Sequence, residues 1–276
     1  MVKEAPFPNT CRSTVFIPKG QEIFTTYIWP HLSTRRRRKS LSDGWHFACE
    51  CFRCSDPSEL GALTSAILCK LCPKGYLLHE NPLEQGLEQW KCHQCGEMGD
   101  SKHISTMVQN LTEEVESLGR DDLESNLSLL QKCREFLHCN HSLLTELRVR
   151  VIPIITRQPG MMTLNDYPES VITFKRQLCR ENLQVLNIIT PGLSHQRGGV
   201  LFELQECNFF LAKRKLECGL ITEKEFVDAL KDCKKLLLEC GQCLTNERPK
   251  SIEEFYEKSA MVSLKAVIEY IVTFSS

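Results

Sequence analysis

The sequence lacks a strong charge of either sign and any long apolar run. Its 34 lysines and arginines nearly balance its 35 aspartates and glutamates, for a formal net charge of −1. A chain so balanced has no global field that would attract nucleic acid or an anionic membrane. No apolar stretch approaches the roughly 18 residues of a membrane span, and the residues after Met1 lack the apolar core of a signal peptide. We therefore expect no membrane partner, no nucleic-acid partner, and a reducing cytoplasmic and/or nuclear location.

The sequence also lacks the signatures of several common enzyme classes. It contains no glycine-rich phosphate loop, no nucleophile elbow and no pair of carboxylates that rises above chance. His138, His141 and His195 have no ligand-like spacing. The chemistry must therefore be sought in another residue type.

Cysteine is abundant, and its spacing is typical of zinc sites. The chain has 16 cysteines. Cys69-x2-Cys72 and Cys92-x2-Cys95 are separated by nineteen residues, a spacing at which two CxxC turns close one tetrahedral site. Because four thiolates leave no open position for water, this quartet predicts a structural zinc ion rather than a catalytic one.

A second group, Cys49-x-Cys51-x2-Cys54, offers three ligands and needs a fourth. Cys11 is the obvious candidate within this chain, His46 is the alternative, and a metal-free trio is the remaining reading. The expected cofactor is therefore one zinc ion at the quartet, with a second ion if the trio is completed. A secreted disulfide framework is disfavoured because the CxxC pairs are regular and no signal peptide precedes them.

The remaining cysteines within the helical part of the sequence are interpreted as small buried hydrophobic residues. They are Cys133, Cys139, Cys179, Cys207, Cys218, Cys233, Cys240 and Cys243.

The chain divides by pattern into three regions. Residues 1–45 contain short β-like runs at 14–17 and 22–28. Residues 46–100 are rich in cysteine and turn residues, and residues 101–276 are helical. So few strands cannot form a stable sheet alone, so the first region is interpreted as the end of a β-domain. A metal would supply the stability that the irregular second region lacks.

Five consecutive basic residues, Arg35 to Lys39, fall on a short helix predicted over 34–41. Such a run is typical of a nuclear localisation signal or a nucleic-acid patch. It is equally typical of a solvated helix face, which is the reading we favour.

In the third region apolar residues recur at helical spacing. The predicted helices cover 104–118, 123–137, 171–190 and 200–216, and two more begin at Thr222 and Ser251. Asp121, Thr222 and Ser251 each precede a glutamate by three residues, which is the pattern of a capping box. The expected fold is mostly α, with a small β and zinc-binding region before a loosely TPR-like helical array.

Several segments together resemble the SMYD-type SET proteins, and in particular their arthropod msta-like branch. The first part of the resemblance is similar to the end of a SET domain with its post-SET zinc loop. It comprises Gly20–Tyr27, Thr34–Leu41 and Phe47-x-Cys49-x-Cys51-x2-Cys54. The second part comprises Ser55–Gly61, the quartet with Asn81-Pro-Leu83 and Trp90, and Pro191–Gly198. The resemblance extends over nearly the whole chain from about residue 14.

This resemblance implies transfer of a methyl group from S-adenosylmethionine to a protein lysine, with histones and transcription regulation as the expected setting. It assigns Tyr27 a catalytic role, in which the hydroxyl orients the target amine, and Phe47 a position beside the cofactor and the lysine channel. It also places residues 1–45 as the last part of a SET domain, and 46–100 as the post-SET and second zinc-binding region.

Several family features are missing from this sequence: the glycine-rich cofactor segment, the MYND module and the Asn-His-Ser-Cys motif. In the family, that motif contacts the cofactor and supplies the fourth post-SET zinc ligand. Two hypotheses follow. One is a truncated or degenerate member that serves as a zinc-stapled protein-interaction module, without bound S-adenosylmethionine. The other is an active S-adenosylmethionine-dependent lysine methyltransferase with a lysine-containing protein substrate, if the missing SET elements are supplied or are present in a longer form.

Overall fold

The computed structural model describes residues 13–84, 89–157, 160, 163–245 and 251–275. Helices dominate these residues. They are α1 (Thr34–Trp45), α2 (Phe52–Ser55), α3 (Ser101–Ser117), α4 (Leu123–Arg134), α5 (Ser142–Ile154), α6 (Glu169–Ile189), α7 (His195–Glu217), α8 (Glu223–Cys243) and α9 (Ile252–Ser275). A 3-10 turn spans Leu164–Asp166. The predicted fold class, mostly helical with a small β region, is confirmed.

A small antiparallel sheet lies between α2 and α3. Its strands are β1 (Ile67–Leu68), β2 (Tyr76–His79), β3 (Trp90–Cys92) and β4 (Met98–Gly99), paired in that order. Leu77 stands opposite Cys92, and His79 opposite Trp90. The sequence did not reveal this sheet, because strands of two to four residues are too short for an alternating pattern.

The prediction of strands at 14–17 and 22–28 is wrong. The described residues 13–33 form loops and turns. Strands need neighbours for their backbone groups, and the sheet described above does not extend to this segment. It is attached instead through Thr14, whose carbonyl accepts a 2.7 Å hydrogen bond from the Leu193 N–H.

Helix α1 confirms the helix predicted over 34–41 and extends it to Trp45. Its start is fixed from a distant loop, since Glu59 Oε1 accepts hydrogen bonds from Thr34 N at 2.8 Å and Thr34 Oγ1 at 2.7 Å. The carboxylate thus caps the helix N-terminus, where the helix dipole favours a negative charge. The helix ends at His46, which adopts a left-handed conformation with φ 57°.

The helices predicted in the third region are confirmed, with small shifts at their ends. Thr222 and Glu225 form the predicted capping box, and Ser251 Oγ accepts from Glu254 N. At α4 the cap is Asp122, which accepts from Ser125 N, rather than Asp121. Helix α5 was not predicted, because it is buried on several faces and therefore shows no clear stripe.

The sheet and the helices share one hydrophobic core. Ile67, Leu77, Trp90 and Cys92 belong to the same buried cluster as the helical leucines. Backbone hydrogen bonds tie the sheet to the α4–α5 connection: Leu68 N donates to Phe136 O, and His138 N donates to Ala66 O. The position of the sheet is thereby fixed against the helical array.

Most of the cysteines predicted to be small core residues are buried as expected. The exceptions are Cys139 and Cys218, which are exposed. Across the described part of the chain, no helix combines the length and apolar character needed to cross a membrane.

Candidate metal centre

The structure brings the four cysteines of the predicted quartet together. The sulfurs of Cys69, Cys72, Cys92 and Cys95 all lie within 4.8 Å of one another. Cys69 and Cys95 are 3.8 Å apart at Sγ, and Cys72 and Cys92 are 3.6 Å apart. A tetrahedron with Zn–S arms of about 2.3 Å has edges of about 3.8 Å. The donor set therefore fits zinc in number, element and spacing.

Two tight turns of the sheet present these sulfurs. Cys69 and Cys72 lie on the β1–β2 connection, where Cys69 N donates to Gly75 O. Cys92 ends β3, and Cys95 lies on the β3–β4 connection, where Gly96 takes a φ of +75° that glycine adopts without strain. Because β2 pairs with β3, the two turns meet at one end of the sheet.

The pKa values of two cysteines in the quartet are shifted in opposite directions. Hydrogen bonds from the Cys95 and Gln94 backbone lower the pKa of Cys92 to about 6. Desolvation and hydrogen bonding to the neighbouring sulfurs raise the pKa of Cys72 to about 12. Cys92 therefore loses its proton at a lower pH than Cys72, which keeps its proton. A bound divalent cation would displace that proton, so metal affinity should fall as the pH is lowered.

Gly75 is a residue whose importance the sequence analysis missed. A Cβ at this position would collide with Cys72 Sγ and would stand 2.7 Å from Cys92 Sγ. We expect Gly75→Ala to push these sulfurs apart, to weaken zinc binding at least tenfold and to lower the thermal stability. Competition with a chromophoric zinc chelator measures the affinity.

The matched control is Gly44→Ala, since nothing lies within 4 Å of a Cβ built at Gly44. Equal zinc affinity for the two alanine variants would show that the contact at Gly75 is unimportant.

The first cysteine group also assembles, but as a trio. The sulfurs of Cys49, Cys51 and Cys54 lie within 4.8 Å of one another. His46, the alternative fourth ligand, does not join the trio in the described structure. The favoured fourth ligand, Cys11, lies outside the described residues. Completion of this site by Cys11 therefore stays a prediction.

Two arginines, Arg37 and Arg53, lie near the trio. Arg53 is buried and donates to the backbone carbonyls of Pro30 at 2.5 Å and Leu32 at 3.2 Å. Desolvation raises the pKa of Cys54 to about 12, although the charge of Arg37 opposes this shift. Desolvation raises the pKa of Cys51, but hydrogen bonds from Cys54 and Cys49 lower it overall to about 7. Three cysteine sulfurs at this spacing can serve as zinc ligands once the metal displaces their protons.

The two residues assigned catalytic and cofactor-binding roles by the resemblance lie together on the surface. The Tyr27 and Phe47 ring centroids are 5.9 Å apart, and Trp45 lies 4.9 Å from Tyr27. All three side chains are substantially exposed. Their proximity does not by itself test a catalytic role, which stays a prediction.

Two arginines of the basic run on α1 form contacts with other parts of the protein, which a fully solvated helix face would not do. Arg36 pairs with both Glu116 and Glu146 at 3.1 Å. Arg38 donates to the carbonyls of Pro82 and Leu83. These contacts join α1 to the helical array and to the loop between β2 and β3.

Comparison with known proteins agrees with the resemblance. The chain is 30% identical over 192 residues to SET domain-containing protein SmydA-8, isoform A, of Drosophila melanogaster, a match that covers 63% of this chain and 40% of the relative. Isoform B of the same protein is 28% identical over 193 residues, which cover 64% of this chain and 42% of the relative. No family model matches the chain. The matched part thus spans well under half of the relatives' length, and the chain is related to the SMYD-type SET proteins.

Proposed function

We propose that this chain is a zinc-stapled protein-interaction module of SMYD-type SET ancestry. In this proposal residues 1–45 derive from the end of a SET domain, 46–100 form the zinc-binding region and 101–276 form a TPR-like array. The quartet holds one zinc ion, and the trio holds a second when a fourth ligand completes it.

The zinc-binding region is joined to the helical array by apolar packing and by polar contacts. The sheet that carries the quartet packs into the helical core. Glu59 caps α1 from the loop that follows the trio, and Arg36 ties α1 to Glu146 on α5. Metal binding at the quartet would therefore stabilise the surface formed by the preceding residues.

The observation that carries the proposal is the concentration of exposed apolar side chains in residues 15–52, before and around the trio, which we call the N-terminal apolar surface. It comprises Val15, Phe16, Ile23, Phe24, Tyr27, Trp29, Trp45, Phe47 and Phe52. Phe16 is 88% exposed and Phe52 is 89% exposed. Scattered apolar residues are ordinary on protein surfaces, but so many in one region favour a binding site. Aromatic residues of this kind are enriched among protein–protein contacts.

The chemistry of this surface favours a protein partner over nucleic acid. The basic residues nearest to it are partly neutralised, since Arg36 is paired with two carboxylates. A polyanion would gain little binding energy from an arginine that is already paired with carboxylates. A folded protein with an apolar face of its own would instead cover the exposed rings.

Site-directed photo-crosslinking tests this proposal. Benzoylphenylalanine at Phe24 or Phe52 should give the same discrete adduct in intact cells. Leu220 is the matched control because it is also highly exposed but lies between α7 and α8. The variant F16S/F24S, combined with the probe at Phe52, should lose the adduct while keeping its circular dichroism spectrum.

Equal adducts at Phe52 and Leu220, or an adduct that survives F16S/F24S, would count against a partner-binding surface here. Since those substitutions remove exposed side chains, they are expected to leave the melting temperature nearly unchanged.

The second candidate function is S-adenosylmethionine-dependent methylation of a protein lysine. It is favoured by the cluster of Tyr27, Trp45 and Phe47, whose rings lie at 56° and 74° to one another around Tyr27. Exposed aromatic faces attract an ammonium group through the cation–π interaction. Methyl transfer also requires a cofactor held in line with that amine.

Calorimetric titration separates the two functions. With zinc present, the interaction module should release no heat on addition of S-adenosylmethionine or its demethylated product. A saturable binding isotherm that Tyr27→Phe leaves intact, together with methyl transfer that Tyr27→Phe reduces, would establish the enzymatic alternative.

A further inference from the structure

Helix α9 has an apolar outer side. It packs against α7 and α8 through a buried side that includes Tyr256, Ala260 and Val267. Among the described residues, its exposed large apolar side chains are Ile252, Phe255, Met261, Val262, Ile268 and Val272. Helices α6, α7 and α8 together expose only two such side chains, Ile188 and Leu238. Exposed apolar residues are therefore concentrated on α9 rather than spread over the helical array.

Four of these residues form a stripe opposite the buried side of α9, which we call the α9 stripe. It consists of Met261, Val262, Ile268 and Val272. Side chains three, four and seven positions apart share one face of a helix. Met261 is 66% exposed, Val262 71% and Val272 62%. The terminal helix of a stacked array ordinarily has a polar outer face, so an apolar stripe in this place indicates an interface.

The α9 stripe contains two charges of opposite sign. Lys265 and Glu269 are exposed and form no ion pair with each other or with another of the described residues. Elsewhere on α9, Lys258 does pair with Glu254 at 2.8 Å. The stripe therefore presents one positive and one negative charge, four positions apart, to a partner.

A second copy of the same helix complements both features of the stripe when the two helices run antiparallel. With a two-fold axis at the level of residue 267, Lys265 of each copy lies level with Glu269 of the other. The same register sets Val262 level with Val272 and places Ile268 beside the axis. Parallel pairing in register would instead set like charges opposite each other, which is unfavourable. We propose that α9 pairs antiparallel with α9 of a second copy of this chain.

The size of the stripe predicts a weak dimer. Helix α9 has 24 residues, so it is about 36 Å long and, with side chains, about 10 Å wide. One such strip offers less than the roughly 800 Å² per partner of a standard stable interface. The dimer should therefore form between micromolar and near-millimolar concentrations. It does not depend on the proposed function, because it leaves the N-terminal apolar surface free.

Sedimentation equilibrium tests the dimer. The average mass of the full chain should rise with concentration from 31.7 kDa toward twice that value. V262E/V272E should stay at the monomer mass while keeping its circular dichroism spectrum. L220E/L238E is the matched control, since it also replaces two exposed apolar residues but lies outside α9, and it should dimerise like the unmodified chain. A monomer mass for the unmodified chain over the whole concentration range would overturn the proposal.

Charge reversal tests the register and the antiparallel direction. K265E and E269K should each self-associate about tenfold more weakly than the unmodified chain, because like charges then meet across the axis. An equal mixture of the two variants should dimerise again, since every reversed charge faces its opposite in the other variant. A mixture that associates no better than either variant alone contradicts antiparallel pairing through α9.

One further variant separates this dimer from association through the N-terminal apolar surface. F16S/F24S should dimerise as strongly as the unmodified chain, whatever the fate of the proposed protein-interaction function. Loss of the dimer in F16S/F24S, with V262E/V272E still dimeric, would assign self-association to the N-terminal apolar surface and contradict the role of α9.

Discussion

Replacing Cys72 and Cys92 with serine is expected to abolish zinc binding at the quartet and to unfold the sheet. Structural zinc contributes about 10–16 kcal/mol in zinc-finger peptides, which is comparable to the whole stability of a domain, about 5–15 kcal/mol. Since Leu77 and Trp90 of the sheet lie in the shared core, the loss should extend into the helices. Even about 4 kcal/mol would lower the melting temperature by roughly 8–16 °C for a domain of this size.

Differential scanning calorimetry of the zinc-loaded protein measures this effect. The double variant C139S/C218S is the matched control, because it also replaces two thiols with serine but at exposed positions outside both groups. Its melting temperature should stay within about 2 °C of the unmodified chain, as is usual for surface substitutions. A C72S/C92S protein that melts at the same temperature as this control would contradict a structural role for the quartet.

Replacing Lys175 with methionine is expected to cause the second largest loss, through a buried ion pair. Lys175 Nζ lies 2.5 Å from Glu203 Oε2, and both side chains are almost fully buried. Tyr256 donates to Glu203 Oε1 at 2.8 Å, and Lys175 donates to Thr156 at 2.7 Å. The pair therefore joins α6, α7 and α9. Removing one partner of such a pair costs about 3–5 kcal/mol. The Arg157 guanidinium stays 3.2 Å from Glu203 Oε1 in the variant, so we expect a loss at the lower end of this range.

Two further variants make this prediction specific. Lys235→Met breaks an exposed pair with Asp232, whose side chains are 77% and 72% exposed, and should cost no more than about 1 kcal/mol. K175M/E203Q removes both charges and should be more stable than Lys175→Met alone. Urea unfolding compares all four proteins, and a loss in Lys175→Met no larger than in Lys235→Met would contradict the role of the pair.

The pH dependence of Lys175→Met follows from the same pair. Burial lowers the pKa of Lys175, but the Glu203 carboxylate more than offsets this, so the pKa is raised overall. The unfolded chain therefore loses this proton at a lower pH than the folded chain does, and the stability that Lys175 contributes is lost as the pH rises through its folded pKa. Lys175→Met should lack this loss at alkaline pH, which urea unfolding at a series of pH values measures.

The quartet was predictable from sequence because its signal is local. Two CxxC turns at the right distance specify both ligand type and number, and the fold only had to bring β2 beside β3. The trio was equally visible, but its fourth ligand was not, because zinc accepts both the Cys11 thiolate and the His46 imidazole and the sequence does not say which of them comes near the trio. His46 is used to end α1 in a left-handed conformation, which no spacing rule would reveal.

The helical array was predictable from apolar periodicity, and the short sheet was not. Helices of twelve or more residues repeat their pattern several times, whereas β1 and β4 have only two residues each. For residues 22–28 the error is the reverse: the sequence predicts a strand, and the structure has none there. The β-branched and aromatic residues of this segment have the right propensity, but strand formation depends on a neighbour to pair with.

The buried polar contacts could not be predicted, since they join residues far apart in sequence. Glu59 caps a helix that begins 25 residues earlier, and Arg36 reaches Glu146 across 110 residues. The basic run on α1 suggested a solvated helix face, but Arg36 and Arg38 make contacts that join α1 to the rest of the fold. Trp90 had significance only as part of the resemblance until the fold placed it in the shared hydrophobic core.

Native mass spectrometry of the purified, zinc-exposed protein tests the central claim most directly. We predict that the unmodified chain retains at least one zinc ion, that C51S/C54S retains that ion, and that C72S/C92S does not. A folded, unmodified chain that carries no zinc, or a C72S/C92S variant that holds as many ions as the unmodified chain, would contradict the account of the quartet as a structural zinc site.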